Sequence, residues 1–195
     1  MSGVSLMQKI KIPNCFLPVV TCFLLFVCLT IFAGCGYTTG SLLPANFKNI
    51  YIENFANKIP ITDEISDMNR YKTYRPLLEV DVTQAIIDRF IFDGHLRVSN
   101  RKDADIVITG ALVDFKREPT KYGYDDNIDQ YRMAIFVDMD ATDTATNKVM
   151  WTEKNFAGSD YYFTTGAQQK SEDSAITAAL NDLSRRVVER TIEVW

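Results

Sequence analysis

The sequence predicts an α+β fold, a two-layer sandwich in which a mixed sheet of four to five strands carries two helices on one face. Three observations predict it. Tyr131, Met133, Ile135, Val137 and Met139 alternate with Arg132, Ala134, Phe136, Asp138 and Asp140, the period of a strand with one buried face. Leu78, Val82, Ala85, Ile86 and Phe90 recur at helical steps, as do Ile176, Leu180, Leu183, Val187 and Val194. Each set is the stripe of a helix lying on a core. The elements run strand, helix, four strands, helix, which leaves most strands free to pair with one another beneath the helices.

The first strand is residues 48–55, with Ile50 and Ile52 on one side and Tyr51 and Glu53 on the other. Residues 56–75 form a polar connection, long for a compact domain, of the kind that is either a functional loop or a solvated insertion. Pro76 suits the first turn of a helix, and Gly94 suits its left-handed cap. Arg89 falls inside the apolar stripe, where it either snorkels outward or pairs with an acid. Residues 96–99 are a short strand. Strand, helix and strand in succession predict a parallel pair joined by a crossover.

Residues 105–115 are apolar on both faces, so this strand belongs in the middle of the sheet. Gly110 within it marks a bulge or a close backbone approach. Residues 116–130 read as a polar tip, 131–140 as a strand, 142–148 as a turn near Asn147, and 149–157 as the antiparallel return. Residues 158–170 read as a loop rich in aromatics and Thr. Ser171 is a good cap for the last helix, and Glu172 and Asp173 suit its positive end. Arg185, Arg186 and Arg190 fall on or beside its solvated side.

The N-terminal stretch follows different rules. Lys9 and Lys11 precede an uncharged run over residues 15–34, long enough to span a membrane or to serve as the apolar part of an export signal. Its end, Phe32-Ala33-Gly34-Cys35, resembles the lipobox of bacterial lipoproteins. The resemblance implies cleavage before Cys35, a diacylglycerol on its sulfur and an acyl chain on its new amine. The competing reading is an uncleaved signal anchor. Three acyl chains would hold the protein on a membrane permanently, since one alone holds only marginally. Gly36 stands where an Asp would retain well-studied lipoproteins in the inner membrane, so the resemblance implies the outer membrane. The divisions are then a signal peptide over 1–34, a lipidated tether over 35–46 and a single domain over 47–195.

Cys15, Cys22 and Cys28 leave with the signal and Cys35 is lipidated, so the mature domain is expected to hold no thiol for a disulfide, metal or nucleophile. Loss of Lys9 and Lys11 leaves 19 basic against 25 acidic residues, which argues against a nucleic-acid partner. The lone histidine, His95, sits at a helix-to-strand turn and reads as structural. With no Gly-x-Ser-x-Gly elbow and no phosphate-cradling glycine loop, neither a nucleophilic triad nor a nucleotide site is expected. Residues 125–129, Asp-Asp-Asn-Ile-Asp, lack the glycine and distal Glu of a calcium loop. The expectation is a binding and assembly protein without catalytic residues, metal or cofactor.

Cys35-Gly36-Tyr37, Leu43-Pro44 and the run from Ile50 through Asn57 (Ile-Tyr-Ile-Glu-Asn-Phe-Ala-Asn) together resemble the lipopolysaccharide-assembly lipoprotein family LptE. Ala85-Ile86-Ile87-Asp88, Ala104-Asp105 and Val149-Met150-Trp151 extend the likeness along the mature chain. The long 56–75 connection departs from the family's shorter link. The resemblance implies a plug inside the outer-membrane β-barrel LptD, facing the periplasm, that helps the barrel assemble and deliver lipopolysaccharide to the outer leaflet. Lys116, Arg117, Lys121, Arg132 and Lys154 are then candidates for lipid A phosphates, because guanidinium and ammonium groups suit them. Each is equally readable as ordinary solvated charge. The first strand and helix also resemble curli-secretion accessory lipoproteins, which would instead imply a homo-oligomeric pore or scaffold.

Overall fold

The computed structural model describes residues 43–44, 46–59, 75–124 and 127–192. The export segment, Cys35, Val194 and most of the 56–75 connection lie outside them. The elements are β1 (Asn49–Ile52), β2 (Ala56–Asn57), α1 (Leu78–Asp93), β3 (Arg97–Val98), a 3-10 turn (Arg101–Asp103), β4 (Ile106–Tyr122), β5 (Ile128–Asp143), β6 (Lys148–Phe163) and α2 (Glu172–Ile192). They form one mixed sheet in the order β3-β1-β4-β5-β6, with β2 beside β4. The predicted α+β sandwich is present, with six strands where four to five were expected.

β1 is parallel to both β3 and β4, as the strand-helix-strand order requires. β4, β5 and β6 form an antiparallel meander. β4 is central, and Ile106, Val107, Ile108, Ala111 and Leu112 are buried on its two faces. The core lies between sheet and helices. Ile50, Ile108, Leu112, Ile135 and Val137 meet Leu78, Val82, Ile86 and Phe90 of α1 and Ala179, Leu183 and Val187 of α2. Each large apolar side chain fully buried there contributes about 1.5–3 kcal/mol.

Local chemistry fixes the ends of the elements. Gly94 adopts φ 78 and its N–H bonds the Phe90 carbonyl, the predicted helix cap. The Ser171 hydroxyl accepts the Ser174 N–H at 3.2 Å, the predicted start of α2. Thr83, buried in α1, accepts the Phe55 N–H at 3.0 Å and donates to the Glu79 carbonyl at 2.8 Å. It thereby satisfies a backbone donor that no strand reaches. The Asp105 carboxylate accepts the N–H groups of Lys48 and Asn49, each at 2.8 Å, and fastens the start of β1 to β4.

Several expectations are corrected. Residues 116–122 and 128–130 are strand, so most of the supposed tip is paired backbone. Residues 158–163 are also strand, with Tyr162 buried. Polar side chains on a solvent-facing side do not end a strand whose backbone is paired along its whole length. The first strand stops at Ile52 and resumes as β2. Pro76 lies just outside α1, which begins after Leu77 in the left-handed region (φ 61). Thr83 rather than Ala85 completes the buried side of α1, and Leu180 is only half-buried on α2.

Gly110 is the close approach and not the bulge, because a Cβ there would lie 2.3 Å from the Phe55 ring. The bulge falls between Leu112 and Asp114. It turns the helix-facing side of β4 from the even positions Ile106, Ile108 and Leu112 to the odd position Phe115. β6 has a second bulge near Asn155, which adopts φ 51.

Specific groups block points on both long edges of the meander. On β6 the outward Ser159 N–H bonds Asp182 of α2 at 3.1 Å, and the Ala157 carbonyl accepts the Arg186 guanidinium. The Phe163 carbonyl accepts the Lys170 N–H at 3.2 Å. On the far half of β4, Pro119 stands opposite Tyr131 and offers no donor to an added strand.

Candidate functional site

The antiparallel meander runs beyond the helices as a three-stranded arm, and four of the five candidate cations lie on it. On β5 the odd residues from Tyr131 to Met139 face the helices and the even residues face away. Through the cross-strand register, Lys116, Glu118 and Lys121 of β4 and Tyr161 of β6 share the outer side with Arg132 and Phe136. No second layer covers that side among the described residues.

The structure separates the candidates. Lys116 pairs with Asp114 at 3.0 Å and lies 5.1 Å from the Phe136 ring centroid. Arg132 pairs with Glu118 at 3.7 Å. Lys121 is exposed and has no ion-pair partner among the described residues. Arg117 lies on the opposite side, toward the helices. It bonds Glu172 at the start of α2 at 2.8 Å and stacks 5.0 Å from the Tyr131 ring, itself stacked 5.6 Å from Tyr162. Partial burial works against the Arg117 charge, but the hydrogen bond and charge of Glu172 outweigh it and raise its pKa above the ordinary guanidinium value. Burial pushes the Tyr162 phenol up as well, and Glu172 adds to the effect. Arg117 is thus occupied in fastening α2 to the arm.

Lys154 sits at the β6 bulge, 3.3 Å from Asp138. Six residues separate Asp138 from Arg132 along β5, a distance of about 20 Å. The Asn155 N–H donates to Asp138 at 2.9 Å. That bond, opposed by partial burial and assisted by Lys154, holds the Asp138 carboxyl below its ordinary value. Lys116, Lys121 and Arg132 therefore form one outer group on the arm, while Arg117 and Lys154 stand apart from it.

Sequence reasoning noted the aromatics of residues 158–170 but placed them in a loop and did not group Tyr161 with these cations. Tyr122, Tyr124 and Tyr161 are all exposed, and Tyr161 is the cross-strand neighbour of Arg132. Alternation carried through Tyr161, Tyr162 and Phe163 was the available signal, since it places the buried Tyr162 between two outward rings. Arg89 lies 5.3 Å from the Phe92 ring and borders a groove of ≈ 500 Å³ between α1 and α2, with Leu180 and Ser184 on its other wall. His95 bonds Asp93 through Nδ1 at 2.8 Å within the turn after α1. Among the described residues no three His, Cys, Asp or Glu side chains gather as metal ligands. No described helix is long and apolar enough to cross a membrane. The arrangement offers cations and aromatic faces for binding.

A family model described as LptE, lipopolysaccharide-assembly, matches residues 47–191, nearly the whole described fold. No curated protein matches the chain. Among solved structures the chain is similar to lipoprotein B from Nitrosomonas europaea (14% identity, TM-score 0.42, covering 81% of this chain and 87% of that one). It is also similar to a minor lipoprotein from Acinetobacter baumannii (12%, 0.42, 74% and 92%). A third is the PelC dodecamer from Paraburkholderia phytofirmans (14%, 0.42, 75% and 93%). Likenesses this distant carry no argument of their own.

Proposed function

Because the chain belongs to the lipopolysaccharide-assembly family LptE, we propose that it is an outer-membrane lipoprotein, anchored through acylated Cys35, that plugs the LptD β-barrel and assists lipopolysaccharide transport to the outer leaflet. The family match over residues 47–191 carries this reading. It is a binding and assembly role without catalysis. The lumen of a wide barrel is polar and can be plugged by a compact domain. The arm fits that setting. Its outer side mixes Lys116, Lys121 and Arg132 with Asp114 and Glu118 on an aromatic ground.

Within this reading, Lys121 and Arg132, with Lys116 behind them, are the cations that meet lipid A phosphates, and Tyr161 packs beside them. Lys121 leads because it gives up no internal partner to bind. Arg117 and Lys154 contribute through the fold that presents the others.

A crosslinked pull-down from outer membranes, with mass spectrometry of the captured partner, tests the role. A single large β-barrel is the expected partner. A homo-oligomeric ring would overturn the plug and favour the curli-secretion type of scaffold.

A further inference from the structure

One end of the domain brings unpaired cations and exposed apolar side chains together. β1, the C-terminal end of α1, β3 and the 3-10 turn meet there. Arg97 N–H bonds the Lys48 carbonyl at 2.8 Å, and the Asn49 side chain bonds the Asp103 carbonyl at 3.1 Å. Lys48, Arg97 and Lys102 are exposed and have no ion-pair partner among the described residues. Arg101, in the same 3-10 turn, is paired with Glu53 at 2.8 Å. Two neighbouring acids are occupied locally, Asp93 by His95 and Asp105 by the amides of Lys48 and Asn49. Asp103 stays exposed in the turn. Beside the cations, Phe92 is 80% exposed and Ile91 63%. These are two large apolar side chains on the last turn of α1, with Arg89 5.3 Å from the Phe92 ring centroid and the rest of the two side chains facing solvent.

The chain enters the fold at this same end. Leu43 packs against the core, and Phe47 N–H bonds the Pro44 carbonyl just before β1. Leu43 is eight Cα–Cα steps from Cys35, a reach of at most about 28 Å. β4 alone spans 17 residues, about 55 Å, from this end to the tip of the arm. A lipid on Cys35 therefore cannot hold the domain upright with its arm tip on the membrane.

We propose that the end bearing Lys48, Ile91, Phe92, Arg97 and Lys102 is a lipid-facing surface that seats on phospholipid headgroups beside the anchor. The proposal rests on the lipoprotein reading above and concerns the free lipoprotein. Phe92 and Ile91 enter the boundary between headgroups and acyl chains, and the three unpaired cations meet headgroup phosphates. The arm and its outer cations then point away from the bilayer.

The test uses the full-length lipoprotein, its Cys35 acylation established by intact mass, in phosphatidylethanolamine–phosphatidylglycerol vesicles with brominated acyl chains. Phe92→Trp is expected to gain emission that bromine quenches at least twofold more than in the parent protein. Tyr124→Trp at the arm is expected to gain none. Lys48→Glu with Arg97→Glu, added to Phe92→Trp, is expected to bring quenching back toward the parent. An acylated protein whose Phe92→Trp emission is not quenched, or is quenched no more than that of Tyr124→Trp, overturns this surface and leaves the lipoprotein reading intact. A bare thiol at Cys35 overturns both.

Discussion

Gly158 lies where α2 crosses β6, and adding one carbon there should loosen the helix layer. A Cβ at this position would sit 2.4 Å from the Leu183 Cβ, 2.5 Å from the Leu183 backbone nitrogen and 2.6 Å from the Ala179 carbonyl oxygen. None of these atoms can rotate away. To restore ordinary contact near 3.5–4.0 Å, α2 must lift by about 1 Å. Ala175, Ala179, Leu183 and Val187, all buried, lift with it. Overpacking a well-packed core costs about 1–3 kcal/mol. A contact with backbone on the far side places Gly158→Ala at the upper end, about 3 kcal/mol by the same measure. In a domain of this size that lowers Tm by about 6–12 °C. Urea or thermal unfolding of the purified protein reads the change. Leu183→Ala should not rescue it, because the Cβ, nitrogen and oxygen remain. A Gly158→Ala protein within about 0.5 kcal/mol of its parent, the range of an ordinary surface change, would refute the close crossing.

Gly110→Ala meets the Phe55 ring rather than backbone, so it should destabilise but be partly relieved by Phe55→Leu, the double variant losing less than the sum of the two in urea unfolding. Thr83→Val keeps the shape but leaves the Phe55 N–H buried without an acceptor, a loss of about 1–3 kcal/mol in the same assay. The Asp138 carboxyl is held below its ordinary 3.8 in the folded protein, so its stabilisation is present above that pH and is lost as the pH falls through the lowered value. Asp138→Asn should therefore flatten the acid limb of a stability–pH profile, and an unchanged limb would show that the Asn155 bond contributes nothing. Lys121→Asp should weaken lipopolysaccharide binding several-fold by reversing an unpaired charge, while Lys154→Asp should change it little; equal effects from the two would remove the arm's outer group as the contact.

The parts of the fold readable from sequence were those where one residue type decides one outcome. Alternation from Tyr131 to Met139 placed β5, and the Leu78–Phe90 stripe placed α1. Gly94 and Ser171 marked helix ends because each solves a single backbone problem. The arm was not readable because its strands continue through charged residues whose backbones pair regardless of side chain. The grouping of the cations was hidden by the bulges. Alternation counted from Ile106 through Leu112 assigns Lys116 to the helix side, and the inserted residue before Asp114 moves it to the outer side and Arg117 to the inner one. The candidate cations were thus identifiable by type, while their division between two faces depends on the two extra residues of β4, one before Asp114 and one before Lys121.

The blocked points on the meander's edges have a consequence for any partner. With the Ser159 amide on Asp182, the Ala157 carbonyl on Arg186 and Pro119 across the arm, no neighbouring chain can zip onto the margins at those points. At those points a partner can grip this molecule only by its side chains. Such a grip sets no backbone ratchet there, so the seating of a partner is decided by where charges and rings find their counterparts.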